Sequence, residues 1–281
     1  MPSLWMIVAS LLFACMGVCV KLGADTFSTG ELVLYRGLIG VVMMAAVARL
    51  RGTTLATPHW RLQLSRGLSG SFALMCYFFA LGILPLATAV TLSYTSPIFV
   101  ALLLVFWFGE RVRRRVFACV LIGLVGIALL LRPTLQPDQW PGALAGLGGG
   151  LLASLAYVSV RELGRAGEPE VRTVFWFSTI TATLALPWAL IAGLHAIDLH
   201  DTLILLGVGV FGGAAQLAMT RSYRYGRTVV SANLSYSTVV FSSLFGVALW
   251  GEVLPLAAWG AIALIVASGI LVSLATARRS S

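Results

Sequence analysis

The chain has 281 residues, of which 59% are hydrophobic and only 10% charged, and it carries a formal charge of +9. A soluble domain is about half apolar and about a quarter charged, so a single water-soluble core is excluded. At ~20 residues per bilayer-spanning helix, ten spans use most of the chain and leave no room for an appended soluble domain.

Apolar runs bounded by charge or turn residues predict spans at 3–22, 30–48, 65–84, 86–108, 115–132, 142–161, 172–192, 202–220, 229–250 and 255–275. The first run has no basic leader region and is followed by further spans, so it reads as retained and not as a cleaved signal peptide. Cys15 and Cys19 share one face of it, a spacing that suits helix packing, and with Cys76 and Cys119 they show no pattern of a disulfide framework or zinc site.

Span two carries Arg36, five residues and thus ~7 Å from Glu31 at the span's end. A buried guanidinium needs partners. Pairing with Glu31 or Glu252, or with helix carbonyls, makes Arg36 a gate element; the other reading has it hold an anionic group such as a carboxylate. It is the one basic residue clearly inside a span and away from its ends, and no Asp or Glu falls at any span's midpoint. Cationic and phosphorylated solutes are thereby disfavoured, and a neutral or zwitterionic one fits best.

Spans four and nine hold most of the intramembrane polar groups. Thr91, Tyr94 and Thr95 stand at i, i+3 and i+4 on one helical face, and Asn233, Tyr236 and Ser237 repeat the spacing. Two such stripes of neutral donors and acceptors can line one cavity, to which Tyr77 on span three, Ser154 and Tyr157 on span six and Gln216 on span eight add. Pro97 lacks an amide hydrogen and predicts a kink that acts as a hinge. Gly142, Gly146 and Gly150, like Gly209 and Gly213, recur at four-residue spacing and are read as packing devices.

Basic residues are retained on the cytoplasmic face. Arg49, Arg51, Arg61, Arg66, Arg111, Arg113, Arg114, Arg115, Arg161, Arg165, Arg172, Arg221, Arg224, Arg227, Arg278 and Arg279 all fall on the face that holds both termini, whereas Lys21 and Arg132 fall opposite. Both termini are therefore placed in the cytoplasm. The arginine clusters read as topology signals facing anionic lipid, and nucleic acid is not expected as a partner.

Shifting the chain by 142 residues lays Leu92, Ser93, Tyr94, Phe99, Leu102, Val105, Gly109 and Glu110 over Leu234, Ser235, Tyr236, Phe241, Leu244, Val247, Gly251 and Glu252. A shift of 140 lays Lys21 over Arg161. The chain thus divides into repeats at 1–136 and 137–281. Five spans being odd, the second copy enters the membrane upside down, an arrangement suited to alternating access.

The segment Tyr77–Leu131, with Leu84-Pro85, Ser96-Pro97, Gly109-Glu110-Arg111 and Ile122-Gly123-Leu124-Val125-Gly126, resembles the EamA-type repeat of the drug/metabolite transporter superfamily. The second half looks like another copy, although Val239 replaces the proline matching Pro97. The resemblance implies a basket-like all-helical membrane bundle, ten helices in two inverted repeats, with spans one, three, four, six, eight and nine around a cavity. Within that group the chain is similar to exporters of aromatic and other neutral amino acids in the bacterial inner membrane. The expectation is a monomeric exporter, embedded in lipid and without cofactor or metal. The competing readings are an exporter of other neutral metabolites or drugs, a channel, or an intramembrane enzyme. Against the last, His59, His195 and His200 lie in loops or at their edges, and neither HExxH nor GxSxG occurs.

Overall fold

A computed structural model describes residues 4–106, 136–226, 234–253 and 256–277, with isolated positions 118, 122, 125 and 231. Among these residues every regular element is helical. They are α1 (Trp5–Gly23), α2 (Thr29–Leu50), α3 (Trp60–Ile83), α4 (Leu86–Ser93), α5 (Ser96–Phe106), α6 (Trp140–Arg165), α7 (Glu170–Ala192), α8 (Leu199–Tyr225), α9 (Ser237–Trp250) and α10 (Leu256–Ala277), with a short 3-10 turn at Pro137–Gln139 before α6. The pair α4 and α5 occupies the single predicted fourth span. Predicted span five lies almost wholly outside the described residues, as does Asn233.

Among the described residues, six helices have the length and apolarity to cross a bilayer: α1, α2, α3, α6 with its preceding turn, α7 and α8. Several overrun their apolar runs. Helix α3 starts at Trp60 and not at 65, so Gln63 becomes helical, and both Gln63 and Arg66 are buried. Capping boxes fix two starts: Ser28 and Glu31 satisfy each other's backbone N–H groups ahead of α2, and Asp198 and Asp201 do so ahead of α8.

In lipid, apolar surface does not drive helices together, so close packing must. The most extensive interfaces are α3 with α6, α2 with α7, and α1 with α8. Small residues bring the backbones close. A side-chain carbon added at Gly37 of α2 falls 2.8 Å from the Ala182 nitrogen of α7, and one at Gly40 falls 2.6 Å from Ser178 Oγ. The predicted packing glycines are similarly occupied: Gly142 abuts Ile83 and Leu84, Gly146 abuts Leu92, Gly150 abuts Thr95, Gly209 abuts Ile39 and Gly213 abuts Met43.

Exchanging α1, α2, α3 and α4 for α6, α7, α8 and α9 maps the larger interfaces onto one another. The α3–α6 interface becomes α8–α1, α2–α8 becomes α7–α3, and α1–α9 becomes α6–α4, while α2–α7 and α4–α9 map onto themselves.

Candidate functional site

Helix α3 turns Arg66, Gly70, Ala73, Leu74 and Tyr77 to one side, at spacings that put them on one face. Opposite stand Gly149, Ala153, Ala156 and Tyr157 of α6, again on one face. The small residues leave room between the two helices, and with Phe13 and Met16 of α1, Phe177 of α7, Gln216 of α8 and Ser93-Tyr94 at the end of α4 they enclose a cavity of about 90 Å³. At ~10–15 Å³ per water that is room for several molecules.

Tyr94 sits where the fourth span breaks. Its N–H closes the last turn of α4 on Val90 (2.9 Å), Thr95 N–H reaches Leu92 (3.2 Å), and α5 begins at Ser96 with Pro97 in its first turn. Of the residues singled out in the sequence, Tyr77, Tyr94, Tyr157 and Gln216 line the cavity. Thr91 is buried away from it. Thr95 and Ser154 are buried too, their hydroxyls donated to carbonyls of their own helices, Leu92 (2.7 Å) and Leu151 (2.6 Å). Tyr236 is buried and Ser237 starts α9, and neither lines the cavity. Of the described residues in the two expected polar stripes, Tyr94 lines the cavity, with Ser93 beside it.

The charge of the cavity departs from expectation. Arg66, assigned from the sequence to the cytoplasmic loop ledger, is 3% exposed and lines the cavity; its Nη2 donates to Gln216 Oε1 at 2.9 Å. Arg36 is 2% exposed. The two guanidinium carbons lie 4.1 Å (Arg66) and 4.9 Å (Arg36) from the centroid of one ring, Phe177. Arg36 is therefore not alone inside the bundle, and the cavity is not uncharged.

Arg36 pairs with neither expected partner, because both carboxylates are engaged at the end of the bundle. Glu31 accepts from Ser28 N–H and Oγ–H at 2.9 and 3.0 Å and from the His195 backbone N–H at 2.8 Å, with His195 Nδ1 at 2.9 Å. Glu252 Oε1 accepts from Lys21 Nζ at 2.8 Å and from Leu86 N–H at 2.7 Å. Among the remaining described carboxylates, Glu168 meets Arg172, Glu170 meets Arg224, and Glu162 meets Arg165. Asp198 and Asp201 serve the α8 cap, and Asp25 and Asp138 are exposed. Glu110 lies outside the described residues.

Lys21, at the last turn of α1, also donates to Leu84 carbonyl (3.3 Å) and lies 5.2 Å from the centroid of the Trp250 ring. Gly251 in the left-handed conformation ends α9, and its N–H and that of Glu252 turn back to Val247 and Gly246, which aims the Glu252 carboxylate at the free N–H of the α4 start. One carboxylate so joins α1, α4 and α9. Residues Phe13 and Met16 lie ~12 and ~8 Å below Lys21 along α1, so this knot caps one end of the cavity. No sequence signal short of the repeat comparison marks Glu252 as its centre.

The other end is arginine-rich. Arg172 donates to Thr54, Glu168 accepts from Thr57, and Arg224 reaches Glu170 and the Gly167 carbonyl. These bonds tie the loops that follow α2 and α6 to the end of α8.

Comparison with known proteins gives a consistent family. The pattern of the EamA-like transporter family matches residues 1–132 and 140–274. A pseudopaline exporter of Pseudomonas aeruginosa is 29% identical over 88% of this chain and 87% of its own. An S-adenosylmethionine uptake transporter of Rickettsia bellii is 24% identical over 70% of each chain. A solved crystal structure superposes with a TM-score of 0.72 at 24% identity, covering 99% of both chains, which establishes likeness of fold. The relatives differ in solute and in direction.

Proposed function

The chain belongs to the EamA-like transporter family, a multi-pass membrane family of small-molecule carriers, and from that premise we propose that it exports amino acids with aromatic or other apolar side chains, or similar small metabolites, by alternating access. The observation that carries the reading is the cavity between α1, α3, α4, α6, α7 and α8, roofed at one end by Lys21, Glu252 and the α4 start. Tyr77, Tyr94, Tyr157 and Phe177 offer ring faces for stacking, and Arg66 and Gln216 supply a cation and an amide for the polar end of the solute.

The symmetric packing of α1–α4 against α6–α9 supports two inverted repeats, 1–136 and 137–281. In this reading the Lys21–Glu252 end faces outward and the arginine-rich end, with both termini, faces the cytoplasm. Opening the outer end separates α1 from α9. The cytoplasmic end then closes, while the interruption at Tyr94-Thr95, ahead of Pro97, takes up the bend.

Reconstitution tests this. Purified protein in liposomes, offered a panel of neutral, anionic and cationic solutes, moves at least one with saturable kinetics. Flux that never saturates marks a channel, and chemical conversion of a peptide or lipid by the pure protein marks an enzyme.

A further inference from the structure

Two guanidinium groups are buried against one ring, and nine of the ten carboxylates in the chain are engaged elsewhere or exposed, with Glu110 outside the described residues. Such burial is costly unless an anion or a full set of hydrogen bonds offsets it. Neither arginine has the full set. Arg66 donates only Nη2 to Gln216, while its Nε and Nη1, the Nε and Nη2 of Arg36, and both amide atoms of the buried Gln63 one turn from Arg66 have no partner among the described residues. Stacking on Phe177 offsets part of the cost, but it consumes no N–H donor.

We infer that the Arg36–Arg66 pair forms the anion subsite of the cavity, and that the solute carried is an organic carboxylate of net negative charge. This rests on the transporter reading and narrows its solute within the similar small metabolites: a carboxylate without a free ammonium group is preferred to the amino acid itself. Arg66 lines the cavity and only its Nη2 has a partner, so a carboxylate that enters meets a planar guanidinium whose other donors are still unused. Arg36 stands behind it as a second positive charge. The rest of the wall includes Phe13, Met16, Leu74, Tyr77, Tyr94 and Tyr157, which suits an apolar or aromatic body and leaves a strongly hydrated phosphate poorly matched. Among the described residues no carboxylate lines the cavity, so a solute's ammonium group gains no counter-charge from them and is repelled by the same two arginines. An anion is therefore favoured over the zwitterion of the same shape, and the zwitterion over the cation.

Three probes with one aromatic body separate these charges: N-acetylphenylalanine (anion), phenylalanine (zwitterion) and phenylalaninamide (cation). Titrated calorimetrically into the purified full-length protein, N-acetylphenylalanine binds at least about tenfold tighter than the amide, with phenylalanine between them. Arg66→Gln, checked for folding by thermal unfolding, brings the three together, whereas Arg66→Lys keeps the order. The wild-type series stands even if the variants do not fold. An amide that binds as well as the acid, binding of none of the three, or an order unchanged in a folded Arg66→Gln variant overturns the anion subsite. Absence of saturable flux for every solute in the liposome panel overturns the transporter reading, whatever the order of binding.

Discussion

Lys21 and Glu252 stand 231 positions apart in the chain and meet at 2.8 Å, and the same carboxylate oxygen accepts the Leu86 N–H at 2.7 Å. Its two neighbours are both positive: an ammonium and the N-terminal end of a helix. Glu252→Gln therefore weakens two charge-assisted contacts and removes about 1.5–3 kcal/mol from the state closed at this end, a shift of tenfold or more in population. The double exchange Lys21→Glu with Glu252→Lys does not restore transport, because it sets an ammonium against the start of α4. Liposome flux measures both. Recovery in the double exchange would reduce the knot to a simple ion pair.

Packing glycines and open glycines give opposite results. A carbon added at Gly37 meets the Ala182 backbone at 2.8 Å, and backbone does not yield, whereas nothing lies within 4 Å of one added at Gly148. Gly37→Ala lowers stability by roughly 1–3 kcal/mol. Gly148→Ala, in mid-helix of α6, leaves it unchanged or raises it by up to ~1 kcal/mol. Thermal unfolding in detergent distinguishes them, and equal losses would mean that α2 and α7 do not touch as described.

Hydropathy located the helices because a long apolar run leaves little else to form, and glycines at four-residue spacing marked close faces for a simple geometric reason. The site was legible only in part. Tyr77, Tyr94, Tyr157 and Gln216 were found as polar groups at depth, and all four line the cavity. Arg66 was missed because a charge near the start of an apolar run looks the same whether it faces head groups or the bundle interior. What decides between them is Gln216, 150 residues away. Thr95 and Ser154 share the spacing of cavity residues but satisfy themselves on their own helices, which no one-dimensional pattern reveals. The pairing of Arg36 with Glu31 failed for the same reason: nearness along a helix does not disclose that the loop carrying His195 reaches Glu31 first.

Tyr94 and Tyr236 occupy matching positions in the two halves yet differ in exposure to the cavity: Tyr94 lines it, whereas Tyr236 is 2% exposed and does not. Tyr94→Ala enlarges the cavity and removes a stacking face, so flux of an aromatic solute falls about tenfold while the protein stays folded. Tyr236→Ala acts through a lost core ring, costing roughly 3–5 kcal/mol of stability by analogy with other large-to-small changes. Parallel flux and unfolding measurements check the split. If Tyr236→Ala abolished flux at unchanged stability, Tyr236 would contact the solute as Tyr94 does.

Glu31 is fully buried and serves four donors, two on Ser28 and two on His195, so one carboxylate both starts α2 and ties down the loop between α7 and α8. Glu31→Gln retains one oxygen and turns an NH2 toward groups that themselves donate, leaving donors buried without acceptors. The expected loss is about 3 kcal/mol. His195→Ala is milder, about 1 kcal/mol, since the backbone N–H still reaches Glu31 and only the ring nitrogen and the edge-on contact with Phe27 at 6.2 Å go. Thermal unfolding of the two variants ranks them. A larger loss for His195→Ala would show that the ring, and not the buried carboxylate, holds this end together.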